Sequence, residues 1–323
     1  MVQAIRVHAT GGPEVMQVEE VAVGRPGPGE VRLRHTAIGV NFIDTYFRSG
    51  LYKTQLPFIP GNEAAGVVEA IGEGVSEFKP GDRVAYIFGP GTYVRERVVP
   101  ADKLVPVPGG VSDEVAAAVL LKGLTAQYLL RRTFKVEPGH EILIHAAAGG
   151  VGLIAGQWAR HLGATVIGTA GSPEKIELAL EHGYDHVINY RTEDFVVRTI
   201  ELTQGRKVSV VYDSVGKDTF SGSLDVLKPL GLLALFGQSS GPVPPFDLNV
   251  LNQKGSLFLT RPSLFAYMAE RKVLLAAAEE LFGLIASGVL KIAVNQTFPL
   301  AEARAAHEAL EGRHTTGTTI LIP

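Results

Sequence analysis

The chain has 323 residues, 46% of them hydrophobic and 20% charged, with a formal net charge of −3 and no cysteine. That length and balance fit a globular enzyme with a full core, built as two domains or one large one. The charge gives no general attraction to nucleic acid or an anionic membrane, and the missing thiols exclude disulfides, thiolate zinc sites and cysteine nucleophiles.

The opening Met1-Val2-Gln3-Ala4-Ile5-Arg6-Val7-His8 alternates as a strand does and lacks the apolar core of a signal peptide. Residues 1 to about 120 read as β-rich, cut by turns at Gly11-Gly12-Pro13, Pro26-Gly27-Pro28-Gly29 and Lys79-Pro80-Gly81-Asp82. From 121 to about 260 helices and strands alternate. The pattern predicts a helix over Leu121 to Arg131, then strand 141–146, helix 151–162, strand 164–169, helix 173–182 and strand 186–189. Helix 193–203, strand 208–212, helix 217–227 and strand 231–236 continue it. This order predicts a doubly wound parallel sheet, with ligands at the strand C-terminal ends. The remainder is mixed, with amphipathic helices near 270–287 and 301–311 and a last strand from Thr318 to Ile322. The expected organisation is α/β: a β-rich domain split over 1–120 and 261–323, interrupted by a nucleotide domain at 121–260. No apolar run reaches spanning length without charge or glycine breaks, so the cytoplasm is the expected compartment.

The most telling segment is His140-Glu141-Ile142-Leu143-Ile144-His145-Ala146-Ala147-Ala148-Gly149-Gly150-Val151-Gly152. It reads as a buried strand, a glycine turn and a helix start. A dinucleotide needs that unit, because the turn lets backbone approach the pyrophosphate and the helix start offers unpaired N–H groups. Ala147 stands at the first glycine of G-x-G-x-x-G, while Gly149 and Gly152 hold the second and third places. The bland alternative is a ligand-free βα turn.

An NAD site would carry an acid at the end of the next strand, roughly 20 residues on, to hold the ribose 2′-hydroxyl. None stands there. The strand runs into Ala170-Gly171-Ser172-Pro173-Glu174-Lys175, where a small hydroxyl and a lysine suit a 2′-phosphate. NADPH is therefore the expected cofactor. Ser172-Pro173 also reads as a helix cap, and both roles are compatible. Tyr190 could lie against the adenosine or simply pack.

Several further runs join this turn: Gly-Gly-Pro-Glu-Val (11–15), Gly-Val-Asn-Phe-Ile-Asp (39–44), Pro-Gly-Asn-Glu-Ala-Ala-Gly-Val-Val (60–68), Gly-Asp-Arg-Val (81–84), Lys-Gly-Leu-Thr-Ala (122–126), Asn-Gln-Lys-Gly-Ser (252–256) and Thr-Arg-Pro-Ser (260–263). Together they resemble the zinc-independent quinone oxidoreductase (zeta-crystallin-like) branch of the medium-chain dehydrogenase/reductase superfamily, across essentially the whole chain. The resemblance implies a GroES-like β-rich catalytic domain beside a Rossmann domain. It implies hydride transfer from NADPH to a quinone in a cleft between them. Zinc relatives bind their metal through cysteine and histidine. Here Asn41 occupies the first ligand's neighbourhood and Asn62 replaces the histidine, so no zinc site is expected.

Without a metal, either hydrogen-bond donors polarise the acceptor or the acceptor is already electron-poor, as a quinone is. Candidate donors are Asn41 and, in the loop expected after it, Tyr46 and Tyr52. The tyrosines read equally as aromatic packing. The alternative substrate is an activated alkene, an enone or enoyl thioester, with Tyr52 as proton donor. Glu63 reads as structural and the nine histidines as surface or core. By the resemblance, cofactor contacts would include Asn41, Thr125, Gly149, Gly150, Val151, Gly152, Gly171, Ser172, Lys175, Tyr190, Phe236, Gly237, Gln238 and Ser239, with Arg313 as a weaker phosphate partner. It also implies a homodimer in which strand 256–260 pairs with its mate; the alternative is an edge strand covered within one subunit.

Overall fold

The computed structural model describes residues 1–323. Contacts divide the chain into two units. The first holds Met1–Lys122, Glu270–Ala286 and Ile292–Pro323; the second holds Gly123–Ala269 and Ser287–Lys291.

The chain opens with β1 (Val2–Val7), β2 (Met16–Val21), β3 (Glu30–Val40), α1 (Phe42–Arg48), β4 (Glu63–Ile71), β5 (Arg83–Ile87), β6 (Glu96–Pro100), β7 (Leu104–Pro106) and α2 (Asp113–Tyr128). Next come β8 (Glu141–Ile144), α3 (Gly150–His161), β9 (Thr165–Ala170), α4 (Pro173–Glu181), β10 (His186–Asn189), α5 (Phe195–Leu202), β11 (Val208–Asp213) and α6 (Phe220–Asp225). β12 (Leu227–Leu235), α7 (Asn249–Gln253), β13 (Phe258–Thr260) and α8 (Leu264–Tyr267) follow. The chain ends with α9 (Arg271–Ala286), β14 (Val294–Pro299), α10 (Ala303–Glu311) and β15 (Thr318–Ile322).

In the first unit, β1 and β2 form an antiparallel pair, and the larger sheet runs β14-β15-β3-β4-β5-β7 with β6 also on β3. β3 alternates at its start and is buried throughout its last four residues. There Gly39 makes room for α2: a Cβ on it would lie 2.3 Å from the Ala117 carbonyl and 2.4 Å from the Glu63 carboxylate. The core gathers Leu33, Ile38, Val84, Tyr86, Leu104 and Leu321.

In the second unit, six parallel strands lie in the order β10-β9-β8-β11-β12-β13. This is the doubly wound arrangement the alternation predicts, with the order reversing between β8 and β11. β11 is buried at all six positions, as a strand covered on both faces must be. Ser172 caps α4 by accepting from the Lys175 N–H, and Asp194 caps α5 by accepting from Val196 and Val197. α3 starts at Gly149 with no side-chain cap.

Some expected bounds shift for local reasons. The helix expected from Leu121 starts at Asp113, because Ser112 accepts the Val115 N–H at 3.2 Å and two acids follow it; it passes into a π turn at Leu129–Thr133. The helix expected over 217–227 shortens to α6, since 215, 216 and 219 donate to the Asp213 carboxylate instead. β12 starts at Leu227, four residues before the expected 231, and carries Leu230 at φ 63°. The chain returns to the first unit at Glu270, later than 261. β13 pairs with β12, and Tyr267 stacks on Tyr128 with ring centroids 4.5 Å apart, so this stretch stays with the second unit.

The tightest approach to backbone in the second unit is at Gly152, where a Cβ would meet the Ala146 carbonyl at 2.4 Å and the Ala147 carbonyl at 2.5 Å. Both obstacles are backbone. Gly152→Ala should therefore destabilise the protein by about 1–3 kcal/mol, read as a lower urea midpoint. An unchanged midpoint would mean that α3 can slide away from the turn.

Candidate active site

The glycine turn is built by backbone. The His145 N–H donates to the Tyr212 carbonyl at 3.0 Å, continuing the sheet one residue past β8. Ala146 then turns the chain at φ 55°, a left-handed conformation unusual for a residue with a Cβ. The Ala147 N–H donates to the Thr169 carbonyl at 2.9 Å, and the Gly149 N–H to the Ala146 carbonyl at 2.9 Å. Ala147 is tolerated at the first glycine position because residue 168 on β9 is glycine: a Cβ there would lie 2.7 Å from the Ala147 methyl. A Cβ at Gly149 would meet nothing nearer than 3.2 Å, so that side of the turn is open. Gly150, Val151 and Gly152 form the first turn of an uncapped helix, whose N–H groups have no partners within the helix. This is the cradle a pyrophosphate requires, and the residues present fit it.

The next strand end gathers four of the expected residues. Gly171 follows β9, and a Cβ on it would lie 2.4 Å from the Tyr190 hydroxyl. Tyr190 follows β10 and is 43% exposed. Ser172 caps the helix whose third residue is Lys175. No acid ends β9; Glu174 is in the first turn of α4, exposed, and a hydrogen bond from Ser172 holds its carboxyl below the usual range. Phe236, Gly237, Gln238 and Ser239 lie against the end of β11. Phe236 and Gly237 donate to the Asp213 carbonyl at 2.8 and 3.2 Å, and Ser239 to the Ser214 carbonyl at 3.1 Å. Thr125 is buried in α2. Arg313 belongs to the first unit, exposed just past α10 at φ 59°.

The first-unit candidates differ from expectation. Asn41 is followed by α1 and not by a loop. The Asp44 carboxylate accepts the Asn41 N–H at 2.9 Å, which fixes the start of the helix. Asn41-Phe42-Ile43-Asp44 carried that capping spacing in the sequence. Asn41 is nearly buried, and its amide nitrogen donates to Glu63 at 2.8 Å, so the expected donor to an acceptor oxygen is already engaged. Glu63 also accepts the Leu121 N–H at 2.6 Å and lies 3.4 Å from the Lys122 ammonium, a structural role. Tyr46 is buried on α1. Tyr52 is half-buried and meets Tyr46 edge-on with ring centroids 5.3 Å apart. The structure brings both tyrosines together and leaves Tyr52 the more accessible.

Behind Asn41 runs a buried polar chain that the sequence did not reveal. Arg48, 1% exposed, donates to Glu311 at 2.8 Å and to His307 Nδ1 at 2.9 Å. A guanidinium only donates, so His307 Nδ1 must accept and Nε2 must carry the hydrogen. His307 Nε2 therefore donates to the Tyr93 hydroxyl at 2.9 Å, and Tyr93 donates to Asp44 at 3.0 Å. Asn62 Nδ2 donates to the other Asp44 oxygen at 2.6 Å. Burial, followed by the Arg48 charge, pushes the His307 pKa down to about 3, so it stays neutral. Burial pushes Asp44 up to about 6 against the pull of Asn62, Asn41 and Tyr93, which still leaves it ionised at neutral pH. Two neutral side chains thus connect Arg48, itself paired with Glu311, to a buried carboxylate.

The same chain decides the metal question by its chemistry. Both amides at the positions where zinc relatives carry ligands are turned inward, Asn41 to Glu63 and Asn62 to Asp44. No cysteine is present, and no group of three histidine, aspartate or glutamate side chains is placed to hold a metal ion. These residues do not fit zinc.

Comparison with known proteins agrees with this geometry. Residues 27–109 match the model of the alcohol dehydrogenase GroES-like domain, and 150–273 that of the zinc-binding dehydrogenase. The chain is 54% identical to a quinone oxidoreductase of Pseudomonas aeruginosa, over 100% of both chains. It is 50% identical to a 2-haloacrylate reductase of Burkholderia sp, over 100% of this chain and 99% of that one. The crystal structure of Escherichia coli quinone oxidoreductase complexed with NADPH superposes with a TM-score of 0.98 at 52% identity, covering 99% of this chain and 100% of that one.

Arg48→Met should cost about 1–3 kcal/mol in denaturant unfolding, because it leaves the buried Nδ1 of His307 without its donor. An unchanged midpoint would show that the guanidinium contributes nothing there.

Proposed function

The chain belongs to the quinone oxidoreductase family of medium-chain dehydrogenase/reductases, and from that premise we propose that it is a metal-independent, NADPH-dependent quinone oxidoreductase. The observation that carries this reading is the uncapped helix start at Gly149–Gly152, paired with a β9 end that offers Ser172 and Lys175 where an NAD site would offer an acid. The coenzyme named in the superposing E. coli structure supports it. Bound there, NADPH supplies the hydride. The quinone takes two electrons and one proton as that hydride and a second proton from solvent, giving hydroquinone and NADP⁺.

The protein's own contribution is orientation. Amides at 150–152 anchor the pyrophosphate, Lys175 and Ser172 hold the 2′-phosphate, and the Phe236–Ser239 segment borders the nicotinamide. The cytoplasm is the expected place of work. A second reading, reduction of an activated alkene, rests on the 50% identity to the 2-haloacrylate reductase. It requires a proton for the α carbon, and Tyr52 is the more accessible of the two tyrosines.

We also infer a homodimer through 256–260. β13 pairs only with β12, and its Phe258 is 59% exposed on the outer edge, an arrangement that a second strand would cover.

NADPH and a simple quinone should give turnover that chelators do not affect, with kcat/KM at least tenfold above that for NADH. Lys175→Ala should narrow that gap. Equal rates with both coenzymes would remove the 2′-phosphate argument. Tyr52→Phe should leave quinone turnover near normal, and a collapse with all acceptors would favour the alkene reading. Phe258→Lys should convert a sedimenting dimer to monomer; a wild-type chain that sediments as monomer would refute the dimer.

A further inference from the structure

Asp213 is the last residue of β11, the first strand past the point where the sheet order reverses. It is fully buried. One carboxylate oxygen accepts the N–H groups of Val215 at 2.8 Å and Gly216 at 3.0 Å. The other accepts the hydroxyls of Thr219 at 2.7 Å and Ser223 at 2.9 Å. Two backbone N–H groups and two hydroxyls thus surround the carboxylate. No lysine or arginine pairs with it, in contrast to Glu63 beside Lys122.

Its one titratable neighbour is neutral. Ser223 gives its hydrogen to Asp213, so it must accept from His145 Nε2 at 3.0 Å. His145 Nδ1 then accepts from Thr169 at 3.0 Å. Burial lowers the His145 pKa, with the Asp213 charge opposing. The molecule therefore keeps a buried negative charge solvated by neutral dipoles alone. Such a charge acts over a longer range than one neutralised by contact. The Asp213 backbone carbonyl also holds Phe236 and Gly237, the start of the segment assigned to the nicotinamide.

We propose that Asp213 sets the electrostatic field at the nicotinamide. The uncompensated carboxylate, at the strand end that opens the nicotinamide half of the sheet, favours the positively charged oxidised ring over the neutral reduced one and so assists departure of the hydride. The proposal rests on the NADPH-dependent reading above. Asp213 acts through space, not by contact with the ring. When NADPH loses its hydride to the quinone, positive charge grows on the ring, and a fixed negative charge in a dry interior lowers the cost of that growth.

Asp213→Asn tests this, because the network can absorb it. The amide oxygen can keep the two backbone N–H groups while the amide nitrogen donates to the two hydroxyls. Thr219 then donates to the Gly216 carbonyl, already 3.3 Å away, and Ser223 to His145 Nε2, whose hydrogen moves to Nδ1 and points at Thr169. Only the charge is lost. Dissociation constants should be measured for NADP⁺, NADPH and 2′-phospho-ADP-ribose, which lacks the nicotinamide. Asp213→Asn should raise the ratio of the NADP⁺ constant to the NADPH constant about tenfold, with 2′-phospho-ADP-ribose unchanged. Thr219→Val keeps the charge but removes one dipole that solvates it, and should move the ratio the opposite way by a smaller factor. A ratio unmoved in both variants, or equal weakening of all three ligands, would overturn the proposal. If the wild-type protein bound none of the three, the coenzyme reading would fall and this inference with it.

Discussion

The structure depends on how closely α3 can approach the end of β8. Gly152 permits that approach, because its Cα rests where any side chain would strike two backbone carbonyls. The approach aims the free N–H groups of the first helical turn at the mouth of the sheet, and the missing side-chain cap leaves them available. Ala147 and Gly168 share the remaining space between them, which explains how the turn works without its usual first glycine. The neighbouring helices α4 and α5 carry side-chain caps and cannot serve in the same way.

Charge is the second constraint. Buried carboxylates cost several kcal/mol unless donors or cations replace their water. The two units answer this differently. In the first, Lys122 lies 3.4 Å from Glu63 and its charge also lowers the Asp44 pKa. Both carboxylates hold asparagines in the positions where zinc relatives keep ligands. In the second, Asp213 has four dipoles and no cation. The hydride chemistry of a metal-free reductase has few other sources of stabilisation, since a quinone polarises itself.

Much of this was legible in the sequence. Strand 186–189 and strand 318–322 fall where alternation put them, because their apolar runs end at turn residues. The glycine turn and the Ser172–Lys175 corner were legible because each is a local pattern within a few residues. The start of α2 and the helical nature of 42–48 were present as capping signals, at Ser112 and at Asn41–Asp44, but apolar periodicity outweighed them. The polar chains were invisible for a different reason. Arg48 and His307 are 259 positions apart, and Tyr93 and His307 are 214 apart. No local rule pairs residues at that separation, so a histidine in such a network looks like any other core histidine.

The central claim is that the amides at the start of α3 hold a dinucleotide. Amide hydrogen exchange of the wild-type protein, with and without NADPH, reads those atoms directly. The account predicts that peptides covering Gly149–Gly152 and Ser172–Lys175 exchange markedly more slowly when the coenzyme is present, while the β1–β2 hairpin is unaffected. Identical exchange at 149–152 in both conditions would contradict it.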